Sequence, residues 1–459
     1  MKLKEMFNEL IEELEKDNSN EGFDFQNNFM GMTSSDNGHH LVYGKRASQL
    51  FTDFSSIIYK NCDKKDKVES SVFRQIVINK IVNIITDKDF SNENPKVNIR
   101  LIKSEVEAHF NQLQNRIYHF PASTLDFNTK KPINLGDVKI SSITDWLNTV
   151  DFSPEIKKMY SSSRNNENWK TDVVECLQKK LPENEIDGLA EAVYRTVKNS
   201  NSMISIEIIG YEERLSEKLA KQICKTALDM ISLLLGGQRF FYNNVLQLER
   251  LPSLKYGDFT VTNGYLNLPS SGLSKVFLPP LDEVQYEDID QKILRMQFPY
   301  SFVIRGLVDP AYVSCPNLVS RWCFALNWYA EGMRESNDAI AVAKLASCLD
   351  TLSSSGKSVG IKELLCNIYN CKDEYILFDK DGLEPVTVHS FVKRFYEEGR
   401  SRILHGTLKN MLESFEFGVD RNRLAEVARW VLLELVNRLC RYKGKDDDIA
   451  FRDMQYGDE

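Results

Sequence analysis

Apolar side chains recur every three to four residues along most of this chain, the spacing that places them on one face of an α-helix. In the first half, such stripes predict helices near 1–18, 46–60, 68–86, 144–200 and 211–235. Residues 18–40 are rich in Asn, Ser and Gly and are predicted to form a loop. The chain is therefore expected to be mainly α.

Three segments carry β signals instead. Segment 121–145 is broken by Pro and Gly and is predicted to hold a short strand or two, and 203–211 is β-branched and strand-like. The clearest signal is at 258–268, where Asn263 and Gly264 separate two alternating runs. Because both residues of such a tight turn need a positive φ, this pair predicts a β-hairpin.

From residue 317 onward the helical pattern is nearly continuous. It predicts five helices, near 317–334, 338–353, 359–370, 387–412 and 421–442. Their apolar stripes predict a shared core of Leu318, Trp322, Ala325, Leu326, Tyr329, Ile340, Ala343, Leu345, Ala346, Leu349, Leu352, Ile361, Leu364, Leu365, Ile368, Leu424, Val427, Val431, Leu435 and Leu439. Helices joined by short loops around one core form a bundle.

A chain of 459 residues is long enough for two or three domains. We expect a bundle of four or five helices over 300–445. A larger, mostly helical α+β region over 1–290 precedes it, with a candidate subdivision near 121–145. A charged tail occupies 446–459.

The charges are unevenly distributed. The net charge of −8 argues against a generally basic nucleic-acid-binding protein. Segment 391–445 nevertheless carries 12 Lys and Arg against 7 Asp and Glu, a local charge of +5. A basic segment on an acidic chain is an electrostatic footprint for phosphate groups, although a solvated helix face with ion pairs would give the same count.

Neither a metal nor a cofactor is expected. The nine cysteines are scattered without a second pair at zinc-site spacing, which favours reduced thiols in a cytoplasmic protein over structural zinc or disulfides. No P-loop and no Gly-rich dinucleotide motif follows a predicted strand. The segment 1–18 is rich in Glu and unlike a secretory signal, and the longest apolar run, 230–235, falls far short of the ~20 residues that span a bilayer.

Candidate chemistry is concentrated in 393–410, which reads KRFYEEGRSRILHGTLKN. It places Arg400 and His405 five residues apart, with Tyr396 one turn earlier and Gly406 directly after the histidine. Metal-free RNA cleavage needs a base for the 2′-hydroxyl, an acid for the leaving oxygen and a fixed cation for the phosphorane. Histidine and arginine can fill these roles. By spacing alone, a surface arginine and a helix-capping histidine are the alternative interpretation.

The wider pattern, Tyr-x3-Arg-Ser-Arg-Ile-Leu-His-Gly over 396–406, resembles the signature of HEPN domains, in particular the Apea-like branch. The resemblance covers about 317–443. Within it, 339–356 is similar to the family's second helix, and Asp350 stands where the family more often has glutamate. The resemblance implies a helical bundle. It also implies a metal-independent ribonuclease, because many members of the family are such enzymes in antiviral defence or as toxins.

Specific roles follow from the resemblance. It implies an endoribonuclease acting on single-stranded or loop RNA, tRNA among the candidates, with His405 as acid or base and Arg400 on the scissile phosphate. The residues expected to support them by positioning or RNA binding are Tyr396, Arg402, Lys393, Arg394 and Asp350.

The expected biological setting is antiphage defence by abortive infection, with 1–290 as the sensor of a phage-derived trigger. On an ideal helix Arg400 and His405 lie about 140° apart. A homodimer that pairs two motifs is therefore expected, as is common among HEPN ribonucleases. The alternatives are a non-catalytic RNA-binding or scaffold module, and the toxin of a toxin–antitoxin pair.

Overall fold

The structure is a computed structural model. It describes residues 2–19, 23–24, 26–35, 38–86, 94–125, 131–160, 167–249, 255–268, 270–273, 281–354, 356–379, 384–408 and 417–455. The chain divides into two compact units, the first formed by Met1–Arg116 with Ile208–Leu219, the second by Ile117–Glu207 with Ala220–Glu459. As predicted, it is mainly helical. In the described ranges, no helix has the length and apolarity needed to cross a membrane.

The first unit is a group of four helices with a two-stranded sheet. Its helices are α1 (Leu3–Asn18), α2 (Lys45–Lys60), α3 (Ser70–Thr86) and α4 (Pro95–Asn111), and its strands are β1 (Phe29–Ser34) and β2 (His40–Gly44). One face of each helix supplies the core, whose fully buried aromatic side chains are Phe7, Phe51, Phe54 and Phe73.

The prediction of a loop over 18–40 is wrong for Phe29–Ser34, which forms β1. This strand pairs antiparallel with β2. The Asn18 side chain at the end of α1 accepts a hydrogen bond from Val42 N at 2.8 Å and donates one to Val42 O at 2.7 Å. Local composition did not reveal the strand because contacts from distant residues fix it in place.

The second unit begins with a five-stranded sheet. Its strands are β3 (Arg116–Ser123), β4 (Ile133–Leu135), β5 (Val138–Ser142), β6 (Ser202–Ile208) and β7 (Val245–Leu246), in the order β4-β5-β6-β3-β7. The strands predicted over 121–145 and 203–211 are thus confirmed as β4, β5 and β6. Helices α5 (Ile143–Leu147), α6 (Pro154–Met159), α7 (Trp169–Leu177) and α8 (Gly188–Val197) follow β5.

Helix α9 (Glu213–Leu235) is the long helix predicted from its apolar stripe. It ends at Gly236 and Gly237, whose φ values of 74° and 82° are accessible to glycine at low cost. Helix α10 (Gln238–Asn243) follows.

The predicted hairpin at 258–268 is also confirmed. Strand β9 (Val261–Thr262) pairs with β10 (Tyr265–Leu266), and Asn263 and Gly264 form the turn with positive φ. An outer pair, β8 (Lys255–Asp258) with β11 (Ser270–Leu273), extends the hairpin.

The remaining helices form the C-terminal bundle. They are α11 (Glu283–Val308), α12 (Pro316–Arg334), α13 (Asp338–Leu352), α14 (Lys357–Tyr369), α15 (Val388–Val392), α16 (Arg402–Leu404) and α17 (Gly418–Leu439), with a π-helical segment (Lys393–Ser401) between α15 and α16. A short antiparallel pair, β12 (Ile376–Phe378) and β13 (Val386–Thr387), precedes α15.

The predicted bundle core is buried except for Ile340, which lies in the first turn of α13 and is 44% exposed. Trp322 is fully buried and donates a hydrogen bond from Nε1 to Leu432 O at 3.0 Å, which joins α12 to α17.

Helix α11 also packs on α12 and α17 and runs through 290–300, so the bundle begins earlier than residue 300. In the tail, Phe451 and Met454 are buried.

Candidate functional site

Five of the candidate residues, Lys393, Arg394, Tyr396, Arg400 and Arg402, lie on one continuous helical stretch, Val388–Leu404, made of α15, the π-helical segment and α16. We call this stretch the site helix. His405 directly follows it, and Asp350 lies on α13. It begins after Thr387, whose hydroxyl accepts a hydrogen bond from Ser390 N at 3.2 Å and so caps the first turn. From Lys393 to Ser401 the helix is π-helical. Such widened turns are rare, and they often occur at functional sites.

Gly399 allows the site helix to lie close to α13. It is buried, and a Cβ at this position would lie 3.3 Å from Val342 Cγ1 and 3.2 Å from Arg394 O. A side chain here would therefore require Val342 or the site helix to shift. The absence of a side chain at Gly399 brings the following residue, Arg400, within reach of α13.

Arg400 is held on α13 by two side chains. Its Nε donates to Ser347 Oγ at 3.1 Å, and its Nη2 lies 3.1 Å from Asp350 Oδ2. Because Ser347 and Asp350 are three residues apart on α13, they project from the same face. The guanidinium also stands over the Tyr396 ring, 5.2 Å from its centroid. The cation is thus oriented by three neighbours while 24% of its side chain stays exposed.

The Asp350 side chain is buried. Burial raises the pKa of Asp350 above its ordinary value, and the nearby Arg400 charge offsets part of that rise. Its Oδ1 is buried and has no hydrogen-bond partner among the described residues. Burial, followed by the Asp350 charge, also raises the pKa of Tyr396. A buried carboxylate oxygen without a donor is unfavourable.

His405 directly follows the site helix as its C-cap residue, and its side chain is exposed. Gly406 follows with φ +66°, and its N–H donates to Ile403 O at 3.2 Å while Thr407 N donates to Arg402 O at 2.9 Å. These two bonds form a Schellman motif, which ends the helix directly after the histidine. The His-Gly pair therefore presents an imidazole at a helix end.

The structure brings four of the predicted site residues into two groups. Arg400 contacts both Tyr396 and Asp350, whereas its described contacts do not include His405. Arg394 belongs to a second group: its Nε and Nη2 lie 2.9 and 2.7 Å from Asp420 Oδ2. Its Nη1 lies 3.5 Å from Glu398 Oε2.

The Arg394 charge is therefore compensated, and this residue connects the site helix to the start of α17. Of the other two predicted cations, Lys393 is exposed and Arg402 is half-buried.

Two residues of the site were not predicted. Ser347 lies one helical turn before Asp350, so the i,i+3 rule applied to α13 would have found it. Asp420 is separated from Arg394 by 26 residues, and nothing in the sequence links the two.

Among the described residues, no cluster of three or more His, Cys, Asp or Glu could hold a metal ion. The nine cysteines are free thiols, of which Cys366 and Cys371 are close neighbours at the end of α14.

Comparison of the chain with known proteins gives no matching family model, no similar curated protein and no similar solved structure.

Proposed function

We propose that this protein is a metal-independent endoribonuclease of the HEPN type. The observation that carries the proposal is the position of Arg400 on the site helix. Its guanidinium is partly exposed and is fixed by Asp350 and Ser347 of α13, and His405 directly follows the site helix. A cation with a defined orientation and an accessible imidazole are groups that metal-free phosphodiester cleavage requires.

In this mechanism, Arg400 binds the scissile phosphate. A guanidinium carries five N–H groups, and Arg400 uses Nε and Nη2 to hold α13, so Nη1 can turn its donors to phosphate oxygens. The same donors stabilise the charge that develops on the phosphorane. Asp350 and Ser347 are positioning residues because they fix the plane of the guanidinium, and Tyr396 limits its motion from the other side.

His405 would transfer the protons. It would take the proton of the 2′-hydroxyl or give one to the leaving 5′-oxygen, and attack by the 2′-oxygen leaves a 2′,3′-cyclic phosphate. Exposure of His405 at the helix end allows RNA to approach it. Lys393 and Arg402 would contact the RNA backbone nearby, whereas Arg394 contributes little because its charge is already paired with Asp420.

One protomer need not supply the whole centre. Arg400 contacts α13 while His405 projects from the end of the same helix, so two protomers in a homodimer would combine the arginine of one with the histidine of the other. We further propose that 1–290 senses a phage-derived trigger and that the activity serves abortive infection, with tRNA as a candidate substrate.

The test is cleavage of total tRNA and of a generic RNA by the purified full chain in EDTA. His405→Ala should lower the rate by about 100-fold or more, the usual contribution of a general acid or base. The product ends should be cyclic phosphates in the wild type. His389→Ala is a matched control because His389 is also exposed and lies on the site helix, away from Arg400. The control should cleave at the wild-type rate.

The outcomes separate the alternatives. Equal cleavage by wild type and His405→Ala would remove His405 from the mechanism. No cleavage by wild type, alone or after addition of phage-infected lysate, combined with saturable RNA binding would favour a non-catalytic RNA-binding module. A toxin of a toxin–antitoxin pair would instead arrest growth on expression without any phage.

A further inference from the structure

A cavity of about 340 Å³ opens in the first unit between the second half of α2 and the first turns of α3. We call it the Arg74 cavity. Its charged groups are Lys60 and Arg74, its rings are Tyr59 and Phe73, and the rest of its lining is serine and threonine. No carboxylate lies among its described lining residues. A volume in this range fits a small organic ligand.

Arg74 is incompletely satisfied. Its Nη2 lies 3.3 Å from both the carbonyl oxygen and the hydroxyl of Ser48, the long end of the hydrogen-bond range. Its Nε is buried and has no hydrogen-bond partner within the described part of the chain. A buried cationic N–H without an acceptor is unfavourable. Because Arg74 lines the cavity and its own hydrogen bonds are few and long, an anion there would add acceptors for the guanidinium.

The hydroxyl groups of Thr52, Ser55 and Ser56 form one wall of the cavity, the acceptor wall, and they offer hydrogen-bond acceptors where Arg74 and Lys60 offer donors. Thr52 Oγ1 donates to Ser48 O at 2.8 Å, and the hydroxyls of Ser55 and Ser56 donate to Thr52 O at 3.0 and 2.7 Å. Because these hydroxyl protons are donated to carbonyl oxygens within α2, the hydroxyl oxygens are left with lone pairs that can accept hydrogen bonds from a ligand. The cavity therefore offers a cationic end for an anion and an acceptor wall for ligand hydroxyl or amino groups.

We propose that the Arg74 cavity binds a small phosphorylated sugar or nucleoside. The phosphate lies on Arg74 and Lys60, and the sugar hydroxyls donate to the oxygens of α2. Lys60, at the exposed end of α2, supplies a second cation that can follow the phosphate. This site is distinct from the site helix, and the proposal does not depend on ribonuclease activity.

Two other cavities lack this combination of charges. One of about 390 Å³ in the first unit is lined by two lysines and two carboxylates, namely Lys64, Lys103, Asp63 and Glu107. The other, of about 400 Å³ in the second unit, contains Arg421 and Arg429, which donate to backbone carbonyls at helix ends. Among these three cavities, the Arg74 cavity is the one whose cations have neither a carboxylate in the described lining nor a short hydrogen bond to a backbone carbonyl.

Isothermal titration of the full chain tests the proposal with ribose 5-phosphate, adenosine 5′-monophosphate, adenosine and inorganic phosphate. A phosphorylated probe should bind, and Arg74→Gln and Lys60→Gln should each weaken it about tenfold or more, the effect of losing one charge-assisted hydrogen bond. Arg100→Gln is the matched control because Arg100 is exposed on α4 and does not line the cavity. Its affinity should equal that of the wild type.

Several results would overturn the proposal. Absence of saturable binding of either phosphorylated probe up to about 10 mM would exclude the site. If the Lys60→Gln variant binds the phosphorylated probe with wild-type affinity, the proposed contact between Lys60 and the phosphate is wrong. Lys60 is exposed, so this variant still tests the proposal if Arg74→Gln fails to fold. Adenosine binding as tightly as its monophosphate would contradict the role of the phosphate. Binding of inorganic phosphate alone would contradict the acceptor wall.

Discussion

Two arginines of the C-terminal bundle are each paired with a carboxylate of α13, and the pairs lie at opposite ends of that helix. Arg421 contacts Asp338, the first residue of α13, at 2.9 Å. Arg400 contacts Asp350, two residues before its end, at 3.1 Å. By residue type the two ion pairs are identical.

Their remaining partners differ. Arg421 Nη2 donates to three backbone oxygens at and after the end of α12, those of Gly332, Met333 and Glu335, at 2.7–3.2 Å. The described hydrogen bonds of Arg400 go to side chains alone. The carbonyls at a helix end have no intrahelical donor, so Arg421 supplies part of what α12 lacks. Such a cation is fixed to the fold.

The contrast shows which arginine can exchange partners. Side chains such as Ser347 and Asp350 can rotate to accommodate a phosphate, whereas a helix end cannot move without unwinding. An arginine held by side chains and partly exposed is thus prepared to bind a ligand, and one held by backbone carbonyls is structural.

The largest expected effect is on stability. Replacing Arg421 by Met removes a mostly buried cation from a partly exposed carboxylate and leaves the carbonyls at the end of α12 without its donors, at a cost of about 2 kcal/mol or more. We expect a clear drop in the thermal midpoint of the second unit, measured by calorimetry. Arg423→Met is the control: Arg423 stands over the Phe378 ring at 5.7 Å, and its loss should cost about 1 kcal/mol or less. Equal losses in the two variants would contradict the structural role of Arg421.

The next effect is on catalysis. Arg400→Lys keeps the charge but loses the planar fork that reaches Ser347, Asp350 and a phosphate together. RNA cleavage should fall about 100-fold, the range seen when one oriented donor is removed from a transition state. The thermal midpoint should stay unchanged because no helix end depends on Arg400. Full activity in Arg400→Lys would show that any cation suffices, and a large fall in the midpoint would make Arg400 structural like Arg421.

Sequence pattern predicted the framework of this comparison better than the site itself. Periodicity identified α12, α13 and α17 and the burial of residues such as Trp322 and Leu435, because a bundle core is a one-dimensional repeat. It misjudged Ile340, since the first turn of a helix can project beyond the core. The Asn263–Gly264 turn was readable because its backbone conformation admits few residue types.

The spacing of apolar residues could not predict which strands or side chains far apart in the sequence contact one another. Strand β1 forms because it pairs with β2 and packs on α2 and α3, although its composition resembles a loop. The π-helical segment changes backbone hydrogen bonds without an apolar period of its own, so 387–412 reads as an ordinary helix. The partners of Arg394 and Arg400 become visible only when α13 and α17 are placed beside the site helix.

A still smaller effect is expected at Asp350, where a substitution can remove the negative charge and keep the shape of the side chain. Asp350→Asn keeps the shape but removes the negative charge that orients Arg400. We expect about a tenfold loss of cleavage, equivalent to one weakened charge-assisted bond. The thermal midpoint should change little, since the variant loses an ion pair but no longer buries a charge. Ser347→Ala is the companion variant, expected to lose activity by a smaller factor because a neutral hydrogen bond is weaker.

The pH dependence of the same variant decides whether charge is the cause. Burial raises the pKa of Asp350 above its ordinary 3.8, with Arg400 opposing, so the carboxyl becomes neutral as the pH falls through that raised value. The ratio of wild-type to Asp350→Asn cleavage rates should then approach one, because both side chains are uncharged. Wild-type stability relative to the variant should rise over the same interval, as expected for a folded-state pKa that is raised. A rate ratio that stays constant down to pH 3.8 would show that Asp350 acts through its shape alone.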